Sequence, residues 1–276
     1  MILAVLFRNE MLKMFKRLAF WVTFIFFSFI NFMNFGEGYF RGVANPERAF
    51  AFPGAWRNIV SEDAEINFVF GGVLLVLLIA NEFQWRTSRQ NVIDGLSKDQ
   101  WFYGKLMLVP VLAVLFVGAR TLIGLLFGVL GTNAAGVEGS FISGVGFTAL
   151  GGVFLAFLGY GSWALFASLA IRNTGPAMAV FLAYVAFIED LIAGGLVRLS
   201  ERMESVVRFF PMNTFEQLNR WIQFDPAAFD EAVQNALSNN RPAPEIWDLS
   251  TLLVTATVWI VVLVASSFFW YRKRDL

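Results

Sequence analysis

Six apolar runs, each at or near the length needed to cross a bilayer, constrain this chain more than any other feature. They cover about residues 18–35, 64–85, 106–130, 146–171, 175–196 and 249–271. About 20 helical residues, at about 1.5 Å each, span a hydrocarbon core about 30 Å thick. Backbone N–H and C=O groups meet no water in that core, so each run must satisfy its own hydrogen bonds as helix. A large soluble core is the alternative, but only 15% of the residues are charged and the mean hydropathy is +0.62. Soluble domains carry about 25% charged residues. The expected fold is all-α and integral to the membrane, with six transmembrane helices. The second run is the shortest: its strongly apolar part is Ile66–Ala80, and it reaches spanning length only by extending toward Ala64 and Trp85.

Basic residues set the orientation of such a bundle. With the N-terminus inside, the inner segments hold twelve Lys and Arg against five Asp and Glu, and the outer segments hold eight against fourteen. That asymmetry and the even number of spans place both termini in the cytoplasm. Before the first span, Leu3, Phe7, Met11, Met14 and Leu18 recur at helical spacing, with Asn9, Lys13, Lys16 and Arg17 mostly opposite. Residues 1–17 therefore read as an amphipathic helix lying in the headgroup plane, in contact with membrane lipid. The competing reading is the inner end of a long, tilted first span. A cleavable signal peptide is not expected, because the basic and apolar residues interleave and no small-residue cleavage site follows.

Between the second and third runs the chain turns polar: NEFQWRTSRQNVIDGLSKDQWFYGKL, Asn81 to Leu106. The spacing predicts a helix continuing from the second span to about Asp94, where Gly95 suits the left-handed position past a helix end. Ser97 is an N-cap for the next helix, Gln100 completes a capping box, and Leu96 with Trp101 fits a hydrophobic staple. Val92, Ile93, Leu96 and Trp101 have the character of buried anchors, and Lys105 is expected as a cation at the inner surface. A plain connection needs only a few residues, so residues 86–105 form an ordered cytoplasmic elbow shaped to dock in a partner, or else a self-contained loop.

These residues carry a family resemblance. Glu82, the run Thr87 to Gln90, the turn Asp94 to Lys98 and the pair Gly104-Lys105 stand in the order seen in permease subunits of ABC type-2 transporters. Many members have Gly-Thr before the Arg where this chain has Arg86-Thr87, and Arg after the Ser where it has Lys98. The motif spans about 25 residues, and the six-span architecture extends the likeness across most of the chain. The resemblance implies a coupling helix that docks in a separate ATPase, with Thr87, Arg89, Gln90, Asp94, Gly95, Leu96, Ser97, Lys98, Asp99 and Trp101 at that interface. It also implies two ATPase subunits, a second permease subunit (the same chain or another), export driven by ATP hydrolysis, and a bacterial cytoplasmic membrane. The chain carries no G-x-x-x-x-G-K-[ST] loop, so ATP and Mg are expected on the partner and no cofactor on this chain.

Other functions have less support. The chain contains neither Cys nor His, which removes thiolate and imidazole chemistry and the ordinary zinc and haem sites. A zero net charge argues against nucleic acid. An intramembrane enzyme finds no pair of polar catalytic residues on facing spans. A membrane scaffold that docks a cytoplasmic partner but carries nothing is the alternative to a permease.

Three charges interrupt the apolar runs: Arg120 in the third, and Glu189 and Asp190 in the fifth. At about 1.5 Å per residue Arg120 and Glu189 reach similar depths in the outer half. Charges there are costly and are usually paired or functional. The expectation is an intramembrane charge pair between Arg120 and Glu189 or Asp190, within one subunit or across a dimer. Its role is structural or in substrate passage, unless a shorter fifth span leaves the acids at the interface. Glycines repeat through the fourth run and suit close helix packing. The extracytoplasmic segments are 36–63 and 197–248. The second is expected to hold a short interfacial or re-entrant helix pair over VVRFFPMNTFEQLNRWIQF and a helical piece near Pro226–Leu237. In the first, Pro46, Pro53 and Trp56 carry no ligand motif.

Overall fold

The computed structural model describes residues 2–44, 50–60, 65–93, 95–239 and 241–274, whose regular structure is helical with no strand among them. In chain order the helices are α1 (Ile2–Lys16), α2 (Leu18–Ala44), α3 (Ala55–Ile59), α4 (Glu65–Gln84), α5 (Thr87–Ile93), α6 (Lys98–Ala135), α7 (Gly144–Ile171) and α8 (Thr174–Ala183). After a π-helical turn at Tyr184–Ile188 come α9 (Glu189–Leu199), α10 (Glu204–Val207), α11 (Pro211–Gln217), α12 (Pro226–Ser238) and α13 (Leu249–Lys273). Six stretches are long and apolar enough to cross a membrane: Leu18–Val43, Glu65–Gln84, Lys98–Ala135, Gly144–Ile171, Thr174–Leu199 and Leu249–Lys273.

The centre of the bundle is built on α4 and α7, the two most enclosed spans. Glycine lets α4 approach its neighbours: a β-carbon on Gly71 would come within 2.1 Å of the Phe157 ring on α7, and one on Gly72 within 2.1 Å of Phe181 on α8. Much of α2, α8, α9 and α13 is exposed apolar surface, as in Phe26, Phe29, Leu191, Val254 and Phe269, which suits lipid or another membrane chain. The Lys98–Ala135 helix has 38 residues, about 57 Å at 1.5 Å each. It is nearly twice the thickness of a hydrocarbon core and projects beyond it.

Two ends can be told apart. At one, here the elbow end, the start of α6 meets α1, the end of α4 and the C-terminal part of α13, with the α7–α8 turn against the same group. At the far end, the α2–α4 connection and the α9–α13 connection fold onto the bundle. The α2–α4 connection differs from its expected form. The α2 helix continues past Phe35 to Ala44, and residues 50–60 turn back into the bundle, with Phe50, Phe52, Trp56, Ile59 and Val60 buried. Glycines on α6 and α7 receive this plug. A β-carbon on Gly131 would sit 2.1 Å from the Phe50 carbonyl oxygen, and on Gly146 it would fall 2.4 Å from the Trp56 ring. Thr132 Oγ1 accepts from the Phe52 N–H at 2.9 Å, and Trp56 Nε1 donates to Phe141 O at 2.8 Å.

The other far-end connection holds the short helices expected there. On α11, Phe215 seats over Gly159, where a β-carbon would be 2.4 Å from its ring. Trp259 Nε1 on α13 donates to Phe209 O at 2.7 Å. Asp225 caps α12 by accepting from the Ala227 N–H.

Candidate functional site

At the elbow end, α4 does not run on to Asp94. It stops at Gln84, and Arg86 adopts the left-handed conformation with φ 58°. This break turns α5 off the axis of the span. Thr87 Oγ1 donates to the Glu82 carbonyl at 3.2 Å across the break. The helix α5 ends in a Schellman arrangement: Leu96 N–H reaches Asn91 O and Gly95 N–H reaches Val92 O, each at 3.1 Å, with Gly95 at φ 106°. The capping box follows. Gln100 N–H donates to Ser97 Oγ at 3.1 Å, and Ser97 N–H to Gln100 Oε1 at 2.9 Å. Two short-range motifs back to back leave the turn little freedom.

The side chains expected at a docking surface divide into two groups. Thr87, Arg89, Gln90, Gly95 and Ser97 are exposed, and Leu96, Lys98 and Asp99 are half-buried. Asp94 lies outside the described residues. Trp101 is 2% exposed and belongs to the foundation of the elbow rather than its surface. Ile93, expected as a buried anchor, is 68% exposed beside Arg89 and Gln90. One apolar side chain between a cation and an amide thus forms the exposed tip of the turn.

Trp101 joins three parts of the bundle. Its Nε1 donates to Glu82 Oε2 at 3.2 Å, its ring stacks on Tyr271 of α13 at 5.0 Å, and Phe83 meets it edge-on at 5.2 Å. The Arg172 guanidinium lies over Phe83 at 5.1 Å and donates to Tyr271 O at 3.2 Å. Arg172 caps α7 in the left-handed conformation, φ 58°, so the α7–α8 turn touches the same aromatic group.

Lys105 is not a surface cation as expected. It is 1% exposed, with its Nζ 2.5 Å from Glu10 Oε2 on α1 and 2.6 Å from Glu82 Oε1 on α4. Arg17 adds a contact to Glu82 at 3.5 Å and donates to Leu78 O at 2.9 Å, while Lys13 approaches Glu10 at 3.0 Å. Burial pushes the Glu10 carboxyl up, but the Lys105 and Lys13 ammonium groups beside it prevail and hold it below the usual range. The sequence reading missed this cluster. Its available signal was Glu10, which falls on the same helix face as Leu6 and Met14 and is buried with them.

The intramembrane charges are not paired as expected within the subunit. Arg120 donates to Asn31 Oδ1 at 2.8 Å and to the carbonyls of Ile59 at 2.9 Å and Asn58 at 3.0 Å. Those carbonyls close the C-terminus of α3, so Arg120 holds the plug. Glu189 accepts from Tyr184 OH at 2.7 Å and from the Asn213 N–H at 2.9 Å, tying the π-helical turn to α11. Asp190 is exposed on the neighbouring face. Similar depth did not mean adjacency: Arg120 faces α2 and α3, and Glu189 faces α11. Among the described residues no group of Asp and Glu could hold a metal ion.

Comparison with protein families finds a match to the family described as ABC-2 family transporter protein over residues 6–189. That stretch includes most of α1, the plug, the elbow and the buried cluster. Comparison with curated proteins returns no match.

Proposed function

The chain belongs to the ABC-2 transporter family, and from that premise we propose that it is the permease subunit of an ATP-driven exporter whose elbow, Thr87 to Trp101, docks in a separate ATPase. The observation that carries this reading is the construction of the elbow. An exposed tip of Arg89, Gln90 and Ile93 stands on a turn closed by a Schellman arrangement and a capping box. Behind the tip, Trp101 and Lys105 root it in α1, α4 and α13. A push on such a tip is passed to the spans, because the joints behind it are buried and packed rather than solvated.

In this reading the elbow end is cytoplasmic, with both termini on that side, and α1 lies in the headgroup plane. Twelve basic residues against five acidic ones on that side support it. Two ATPase subunits bind ATP and Mg, and two permease subunits, copies of this chain or a related pair, enclose the path between them. The exposed faces of α2, α8 and α9 are the surfaces available for that pairing. The complex resides in a bacterial cytoplasmic membrane.

The test is affinity purification of the tagged full chain from mildly solubilised membranes. The expected result is a co-purifying ATP-hydrolysing subunit, lost on Gly95→Val, because φ 106° suits only glycine. Recovery of the chain without any nucleotide-binding protein, or undiminished recovery with Gly95→Val, would overturn the reading.

A further inference from the structure

The buried cluster behind the elbow is more than a foundation for Trp101. Lys105 is on α6, Glu82 on α4 and Glu10 on α1, and the three side chains are 1%, 2% and 7% exposed at the residue level. One ammonium group therefore bridges two carboxylates from two different helices, with Nζ to oxygen distances of 2.5 and 2.6 Å. The two contacts are not equivalent. Glu82 has further donors, Trp101 Nε1 at 3.2 Å and Arg17 Nη2 at 3.5 Å. The other cation at Glu10 is Lys13, one turn away on the same helix, which cannot tie α1 to anything else. Arg17, the residue just after α1, reaches Glu82 on α4, but the direct charged connection from within α1 to α6 passes through Lys105 alone among the described residues.

We propose that Lys105 is a positioning residue that fastens α1 to the elbow, so that α1, the base of α4 and the start of α6 move as one rigid body. The physical reason is the cost of separation. Pulling α1 away would leave a buried ammonium short of one counter-charge, and breaking one partner of a buried pair is strongly unfavourable. Gly104 fits this role: a β-carbon there would already be 3.4 Å from Glu10 Cγ, so α1 lies directly against the helix at this point. The functional consequence rests on the docking reading above: a partner pushing the elbow would drag α1 with it. The rigid-body claim itself does not need that partner.

The test uses the full chain alone in lipid nanodiscs, with spin labels on introduced cysteines, since the sequence has no native Cys. One label pair sits at Arg8 and Gln90, reporting α1 against the elbow. The second sits at Gln90 and Lys273, reporting the elbow against α13. All three positions are exposed. Glu10→Gln removes only the α1 carboxylate. It is expected to at least double the width of the Arg8–Gln90 distance distribution and to leave the Gln90–Lys273 width unchanged. Lys105→Met is expected to broaden both. Should Lys105→Met fail to fold, Glu10→Gln carries the test. An Arg8–Gln90 distribution as narrow in Glu10→Gln as in the parent would overturn the proposal, and so would equal broadening of both pairs in Glu10→Gln. Because no ATPase is present, failure here is distinct from failure of the docking reading.

Discussion

The plug at the far end gives opposite predictions for two glycines on one helix. In Gly131→Ala the new β-carbon would lie 2.1 Å from the Phe50 carbonyl oxygen and 2.9 Å from its carbon. Carbon to oxygen contacts settle near 3.3 Å or more, so backbone must retreat by about 1 Å. Overpacking of this kind costs about 1–3 kcal/mol. Removing a glycine from a helix interior returns about 0.5–1 kcal/mol, leaving a net loss of up to about 2.5 kcal/mol, centred near 1 kcal/mol. Gly118, earlier on α6, has no atom within 4 Å of where its β-carbon would be. Gly118→Ala therefore keeps only the gain of about 0.5–1 kcal/mol. At about 2–4 °C per kcal/mol for a chain of this size, the two variants should melt about 5 °C apart, with the parent between them. Tryptophan fluorescence in detergent at a fixed scan rate reads this, since Trp56 is buried in the plug. Gly131→Ala melting at or above Gly118→Ala would refute the packing argument.

Arg120→Met takes donors from Asn31 and from the carbonyls of Ile59 and Asn58. At about 1–3 kcal/mol for each buried acceptor left unmet, the plug should loosen, and a cysteine introduced at Val60 should become reactive to a thiol reagent that does not label it in the parent. Trp101→Ala should lower stability by about 3–5 kcal/mol and, by removing the joint between Glu82, Phe83 and Tyr271, abolish ATPase co-purification even in the fraction that remains folded. Burial, reinforced by Glu65, Asp190 and Glu189 and opposed by Arg220, pushes the Glu216 carboxyl up to about 7. A raised acid stabilises the fold most below its unfolded value of about 4.3, and that stability is lost as pH rises through about 7. The parent should therefore melt progressively lower from pH 5 to pH 8, and Glu216→Gln should flatten that slope.

The parts of this fold readable from sequence are those governed by neighbours along the chain. Apolar runs announce the spans because each must satisfy its own backbone, and Ser97 with Gln100 announces a helix start because the capping box is local. Gly95 announces a left-handed position for the same reason. The break at Arg86 was not legible, since a non-glycine residue at φ 58° runs against its own preference and goes with hydrogen bonds across the break, Arg86 N–H to Phe83 O and Thr87 Oγ1 to Glu82 O. Nor was the burial of Lys105: a lysine at the mouth of a span ordinarily reaches for solvent, and only the arrival of α1, through Glu10, makes it an interior group. Arg120 and Glu189 show the limit of depth arithmetic, which fixes height along a span but not the face it turns to its neighbours. The plug was missed because Phe50, Phe52 and Trp56 lie between turn residues with no periodicity, and their seats are glycines on other helices.

The most direct test of the central claim is a photo-cross-linking residue placed at Ile93 in living cells, with the same residue at Leu237 as the far-end control; these positions are 68% and 63% exposed. The account predicts that Ile93 captures a protein carrying a G-x-x-x-x-G-K-[ST] phosphate loop and that Leu237 does not. Capture of such a protein from Leu237 and not from Ile93, or capture at Ile93 of only proteins that bind no nucleotide, would contradict it.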